Sequence, residues 1–111
     1  MEKEIRQVVR SKTLDKDILE LYEYGIETFG ITFADIFLEH LKVTLNALSY
    51  QYLLYPECRH LETKTQIYRN VILGKYLIIY RINKNRIEIL RALHGSQSPK
   101  TIKSVKKIKI K

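Results

Sequence analysis

The chain has 111 residues, 45% apolar and 29% charged, with a formal net charge of +8 and one cysteine. Such a composition suits one globular domain with its own core rather than a disordered segment. It excludes an internal disulfide and a cysteine-based zinc site, and no apolar run approaches the ~20 residues of a membrane-spanning helix. The start, Met1-Glu2-Lys3-Glu4-Ile5-Arg6, lacks the apolar stretch of a signal peptide, so a cytoplasmic protein with Cys58 as a reduced thiol is expected.

Charge is unevenly placed. Residues 1–57 hold 6 Lys/Arg against 10 Asp/Glu, whereas residues 58–111 hold 14 against 2. A basic half attracts phosphate backbones by releasing counterions, and it equally suits an acidic protein.

In chain order, Ile5 to Val9 reads as a short first strand. Ser11 and Thr13 are available helix caps, with Asp15 and Asp17 matched to the positive first turn. Leu14, Ile18, Leu21, Tyr22, Ile26 and Phe29 recur at helical spacing, and Gly30 supplies a stop. Thr32 and Asp35 suggest a capping box for a second helix, whose stripe runs Phe33, Ile36, Phe37, His40, Leu41, Leu45 and Leu48. Tyr55-Pro56 ends the helical region, and the polar stretch to Lys64 reads as a loop.

Strands follow at Gln66 to Leu73, Tyr76 to Ile82 and Arg86 to Leu93. Leu73-Gly74-Lys75 and Asn83-Lys84-Asn85 are the turns between them. The sum is an α+β fold, β-α-α-β-β-β: an N-terminal strand, a helical hairpin and a three-stranded antiparallel meander, with the helices on one sheet face. Residues 1–97 form the domain and residues 98–111 a basic tail, set off by Ser98-Pro99. The tail carries six lysines and no acid, with Ile102, Val105, Ile108 and Ile110 among them. It is either a frayed, solvated terminus or an arm that orders on a nucleic acid or another partner.

Alternation along the central strand puts Tyr76, Ile78, Tyr80 and Ile82 on one face and Leu77, Ile79 and Arg81 on the other. The helices should cover the more apolar face, which leaves Arg81 on the open one. Arg69 and Lys75 flank it, and Arg91 lies on the next strand with its parity undetermined. These cations are either solubilising residues of a half-exposed sheet or a surface for phosphates and unstacked bases. The candidate binding set is Arg69, Lys75, Arg81, Arg91, His94 and the tail lysines Lys100, Lys103, Lys106 and Lys107. His94, beside Gly95, is the best candidate acid or base, while His40 reads as a structural member of its stripe. No spacing suggests a metal site, and no phosphate-binding glycine loop is present.

Several segments together resemble the RelE/ParE superfamily, the toxins of bacterial type II toxin–antitoxin modules. They are Leu54-Tyr55-Pro56-Glu57, then Arg69 before Leu73-Gly74-Lys75-Tyr76, then the strand to Ile82, then Ile87 to the closing His94-Gly95. The resemblance spans residues 5–99, and the His-Gly ending is most similar to the ParE side. It implies a cytoplasmic toxin of the plasmid-stabilisation type, needing no cofactor and neutralised by a cognate antitoxin. It also implies a homodimer or a toxin–antitoxin hetero-oligomer. ParE-like members act on DNA gyrase by binding; RelE-like members cut mRNA on the ribosome. The ribonuclease branch places an arginine after the strand tyrosine, where Leu77 stands here. It tends to have a base after the last strand, where Gln97 is the nearest match, and lysines where Tyr68 and Asn70 stand. Cleavage by 2′-hydroxyl attack needs positive charge concentrated at the phosphate, so these departures favour the gyrase reading. The alternatives are a metal-independent endoribonuclease with His94 and Arg81 catalytic, or a non-toxic relic that binds nucleic acid.

Overall fold

The computed structural model describes residues 4–111; Met1 to Lys3, where the expected domain and the signal-peptide reading begin, lie outside the described residues. Strand β1 (Gln7–Arg10) leads into helix α1 (Lys12–Phe29) and helix α2 (Ile31–Gln51). Strands β2 (Tyr68–Leu73), β3 (Tyr76–Ile82) and β4 (Arg86–His94) follow. A short helix α3 (Pro99–Lys103) and a 3-10 turn over Ser104–Lys107 come last.

Ser11 caps α1: its Oγ accepts from the Leu14 N–H at 2.9 Å and its hydroxyl donates to the Leu90 carbonyl at 2.6 Å. One side chain thus starts the helix and ties it to β4. Gly30, at φ +92°, ends α1 and stands at once before α2. The expected capping box does not form, because α2 starts one residue ahead of Thr32, without a side-chain cap. Asp35 instead accepts from the Tyr22 hydroxyl of α1. The two helices meet closely at Gly25, where a Cβ would lie 3.3 Å from that of Ala34.

The buried row of α2 is Ala34, Leu41, Leu45 and Leu48. Phe33, Ile36 and His40, expected inside, are exposed. They lie off that buried row on the helix surface.

The sheet order is β1-β4-β3-β2. The meander is antiparallel as expected, but β1 joins β4 in parallel, so the sheet is mixed. The connection between these parallel neighbours is long, as parallel pairing requires: the helical hairpin carries the chain to β2 at the far edge, and β3 and β4 bring it back beside β1. Gly74, at φ +59°, makes the two-residue turn between β2 and β3. A bulge sits opposite the Ile79/Tyr80 step, because Ile79 pairs with Arg91 while Tyr80 pairs with Ile89. Leu90 is the extra residue, and it reverses the alternation along β4.

Each sheet face has its own core. Leu14, Leu41, Leu45, Leu48, Ile78, Tyr80, Ile87 and Ile89 fill the space under the helices. Buried Tyr80 satisfies its hydroxyl on the Tyr52 carbonyl at 2.6 Å. The second face, expected to be open, is covered by the chain's own tail. Ile102 and Val105 pack on Ile79, Leu90 and Leu93, with Cys58 and Leu61 of the loop beside them. Ser98 caps α3, and Pro99 suits its first turn, where a missing N–H costs nothing. Among the described residues no helix is long and apolar enough to cross a membrane.

Candidate functional site

A cleft of about 210 Å³ opens between the tip of the helical hairpin and the end of the sheet. Helix α1 contributes Leu21, Tyr24 and Phe29; α2 contributes Phe33, Ala34 and Phe37. The β2–β3 turn brings Gly74 and Lys75, with Tyr76 behind, and β4 ends at its mouth in His94. Its walls are aromatic: Phe29 and Phe33 stand 4.7 Å apart and Phe37 and Tyr76 5.9 Å apart, centroid to centroid. Phe29 and Phe33 are about half exposed, at 58% and 49%. Apolar surface of this kind marks an interaction site more than a lone exposed side chain does.

Of the predicted cations, Lys75 and His94 reach this cleft. His94 is exposed, lies 5.9 Å from the Tyr76 ring, and has Nδ1 2.7 Å from the Ser96 Oγ. A second, more polar recess continues along α1 and β4, where Asp17, Glu20, Arg91 and Gln97 join His94.

The three predicted arginines do not gather. Arg69 donates to the carbonyls of Leu53, Tyr55 and Gln66 at 3.2, 3.0 and 3.1 Å, holding the loop after α2 against β2. Arg81 lies on the second face, bound to Glu88 at 2.6 Å and to the Ile108 carbonyl of the tail at 3.0 Å. Arg91 makes two bonds to Asp17 at 2.7 and 2.9 Å, at the β4 edge beyond the end of β1.

Glu88 is 2% exposed and also accepts from Arg86, which in turn donates to the Ile110 carbonyl at 2.6 Å. Burial pushes its carboxyl up, but the bonds from Arg81 and Arg86 outweigh burial and hold it below the usual glutamate range. Arg91 is held above its usual range, chiefly by its bond to Asp17. Each arginine has an internal partner, so each serves the fold first.

Lys100, Lys103, Lys106 and Lys107 are exposed on the outside of the tail. Cys58 is fully buried, and burial pushes its thiol up to about 11. No group of three or more His, Cys, Asp or Glu placed to hold a metal occurs among the described residues.

The sequence reading missed Tyr24 and read Phe29, Phe33 and Phe37 as core. The signal was present in their crowding around Gly30, since residues at a hairpin tip have the least sheet beneath them. It placed Asp17 only as a helix first-turn acid and gave Glu88 no role, because their partners lie 74 residues ahead of Asp17 and 7 residues behind Glu88.

The fold and cleft together define a small α+β protein: a helical hairpin on one face of a mixed four-stranded sheet, the C-terminal segment on the other, and an apolar recess at the hairpin tip. The model of one protein family, "ParE toxin of type II toxin-antitoxin system, parDE", matches residues 8–99, and the chain belongs to that family. Among solved structures it is similar to a chain of the chromosomal ParDE toxin–antitoxin system from P. aeruginosa, with a TM-score of 0.68 and 15% identity. That match covers 83% of this chain and 98% of the other, and at such identity it speaks for the fold. No curated protein matches the chain.

Proposed function

We propose that this ParE-family toxin acts by binding DNA gyrase, and that a cognate antitoxin neutralises it by laying an amphipathic segment into the aromatic cleft. The observation that carries the first part is the fate of the arginines. Arg69, Arg81 and Arg91 are each consumed by internal bonds at separate places. A ribonuclease would need them converging on one phosphate. Leu77, in place of the ribonuclease branch's arginine, removes one more donor. A toxin without such a cluster is better suited to holding a macromolecular target than to cutting RNA.

The cleft supports the second part. Its aromatic walls suit the apolar face of a helix, and Lys75 at the rim suits an acidic one. A segment that folds on contact would cover Phe29, Phe33 and Tyr24 together.

The test is gyrase-catalysed supercoiling of a relaxed plasmid with purified, folded chain. Inhibition at near-stoichiometric amounts, relieved by the antitoxin, is expected. Full supercoiling at a large excess of the chain would refute the gyrase reading.

A further inference from the structure

The layers on the two sides of the sheet carry opposite charge. The helical hairpin, residues 12–51, has seven acids and three lysines. The covering of the second face, residues 58–66 and 98–111, has eight Lys/Arg and one acid, Glu62. The sheet between them holds these two populations apart.

The second layer is built, not merely basic. Ile102 and Val105 are buried at 3% and 1% exposure, and Ile108 and Ile110 pack partly against the same core. Arg81 and Arg86, both held by Glu88, fasten the carbonyls of Ile108 and Ile110. The apolar side chains of the tail therefore point inward, and its lysines stand on a backbone already fixed in place. Among the described residues none of the six tail lysines is in an ion pair. Fixed cations lose less freedom on binding than those of a loose tail.

The chemistry of this surface narrows its partner. A stable protein interface usually has a core depleted of charge and more apolar than its rim. Among the described residues, the large apolar side chains that are exposed belong to residues up to Leu54, or to Ile72; none belongs to the tail layer. Single-stranded nucleic acid is held by stacking on aromatic side chains, and residues 58–66 and 98–111 contain no Phe, Tyr or Trp. What remains is a lysine surface that can neutralise phosphates and read nothing else. The family match ends at residue 99, so most of this surface lies beyond what the family resemblance explains.

We propose that the tail layer is a sequence-independent binding surface for the backbone of duplex DNA, centred on Lys103, Lys106 and Lys107. It would hold the toxin on the polymer while the opposite layer stays free for protein partners. The choice of DNA over duplex RNA rests on the gyrase reading, because gyrase works on DNA; the backbone chemistry itself does not depend on that reading.

The experiment is fluorescence anisotropy of the full chain with a labelled duplex DNA of mixed sequence, over a salt series. Binding should weaken linearly in log–log form as salt rises, with little dependence on sequence. The triple variant Lys103→Gln, Lys106→Gln, Lys107→Gln should bind roughly tenfold more weakly or worse, with a salt slope smaller by about 3. Arginine at the same three positions should restore binding. A second triple, Lys12→Gln, Lys16→Gln, Lys42→Gln, removes the same charge from the helical layer and should bind like the parent. Circular dichroism establishes that each variant is folded. Absent binding at low salt, equal losses in the two triples, or tighter binding of polyglutamate or single strands would each overturn the proposal. Tighter binding to duplex RNA would overturn the choice of DNA. Gyrase inhibition with no DNA binding by the isolated chain would overturn this surface and leave the gyrase reading standing.

Discussion

Asp17 of α1 takes the place of the strand that β4 lacks beyond Ile89. Its Oδ2 accepts from the Ala92 backbone N–H at 3.0 Å, while Arg91 grips both oxygens at 2.7 and 2.9 Å. Strand β1 ends at Arg10, opposite Ile89, so the Ala92 donor would otherwise be buried without a partner. The pair therefore closes a sheet edge and fixes the angle of α1 on the sheet. Asp17→Ala should cost about 2–4 kcal/mol, since it strands both a buried N–H and an arginine. Arg91→Ala should cost less, because Asp17 keeps its bond to Ala92. Urea denaturation of the two singles and the double measures this, and additive losses would show that the pair is not coupled.

Glu88 makes the tail's attachment sensitive to acid. Its folded carboxyl is held below the usual glutamate value, so its contribution is complete above the unfolded pKa of about 4.3. That contribution is lost as pH falls through the lower folded value. Glu88→Gln should be less stable at pH 7 by about 3 kcal/mol, having broken a buried pair. It should also show a flatter stability profile below about pH 4.5 than the parent. Melting curves from pH 7 down to 3 test this; parallel profiles would show that Glu88 does not titrate with the fold.

Removing residues 98–111 should expose Ile79, Leu90 and Leu93, which Ile102 and Val105 now cover. Losing two buried aliphatic side chains costs about 3–6 kcal/mol. Against a typical stability of 5–15 kcal/mol, the shortened chain should be marginal. The expected signs are a much lower urea midpoint and new binding of an apolar dye. An unchanged midpoint would mean that the tail is not part of the core.

Cys58 should be inert in the native protein. It is fully buried, with its thiol pushed up to about 11, so little thiolate exists at pH 8. Alkylation by iodoacetamide should be slow, and it should accelerate by orders of magnitude in denaturant. Rapid native labelling would show that the loop around Cys58 opens readily.

Local signals were legible and non-local ones were not. Strand β3 is β-branched and aromatic throughout, and it runs from Tyr76 to Ile82 as read. Ser11 and Gly30 bracket α1 because each acts within its own turn. The parity of Arg91 was undetermined for a physical reason: the bulge at Leu90 depends on pairing with β3, which the strand's own residues do not encode. The covering of the second face was hidden in Ile102, Val105, Ile108 and Ile110, a spacing too irregular for one helix. Its helix-then-turn path follows the sheet beneath it. The arginines were found as residues but not as partners, since Arg91 needs Asp17 and Arg81 needs Glu88 to show what each one holds.

The central functional claim is that this toxin binds its target and does not cut RNA. Its most direct test is primer extension on a reporter mRNA in a cell-free bacterial translation reaction containing the purified, folded chain. Intact mRNA is the predicted result, with full-length extension products at every concentration that inhibits supercoiling by gyrase. New 5′ ends inside the reading frame, abolished by His94→Ala in a chain that remains folded, would contradict it and make the protein a ribonuclease.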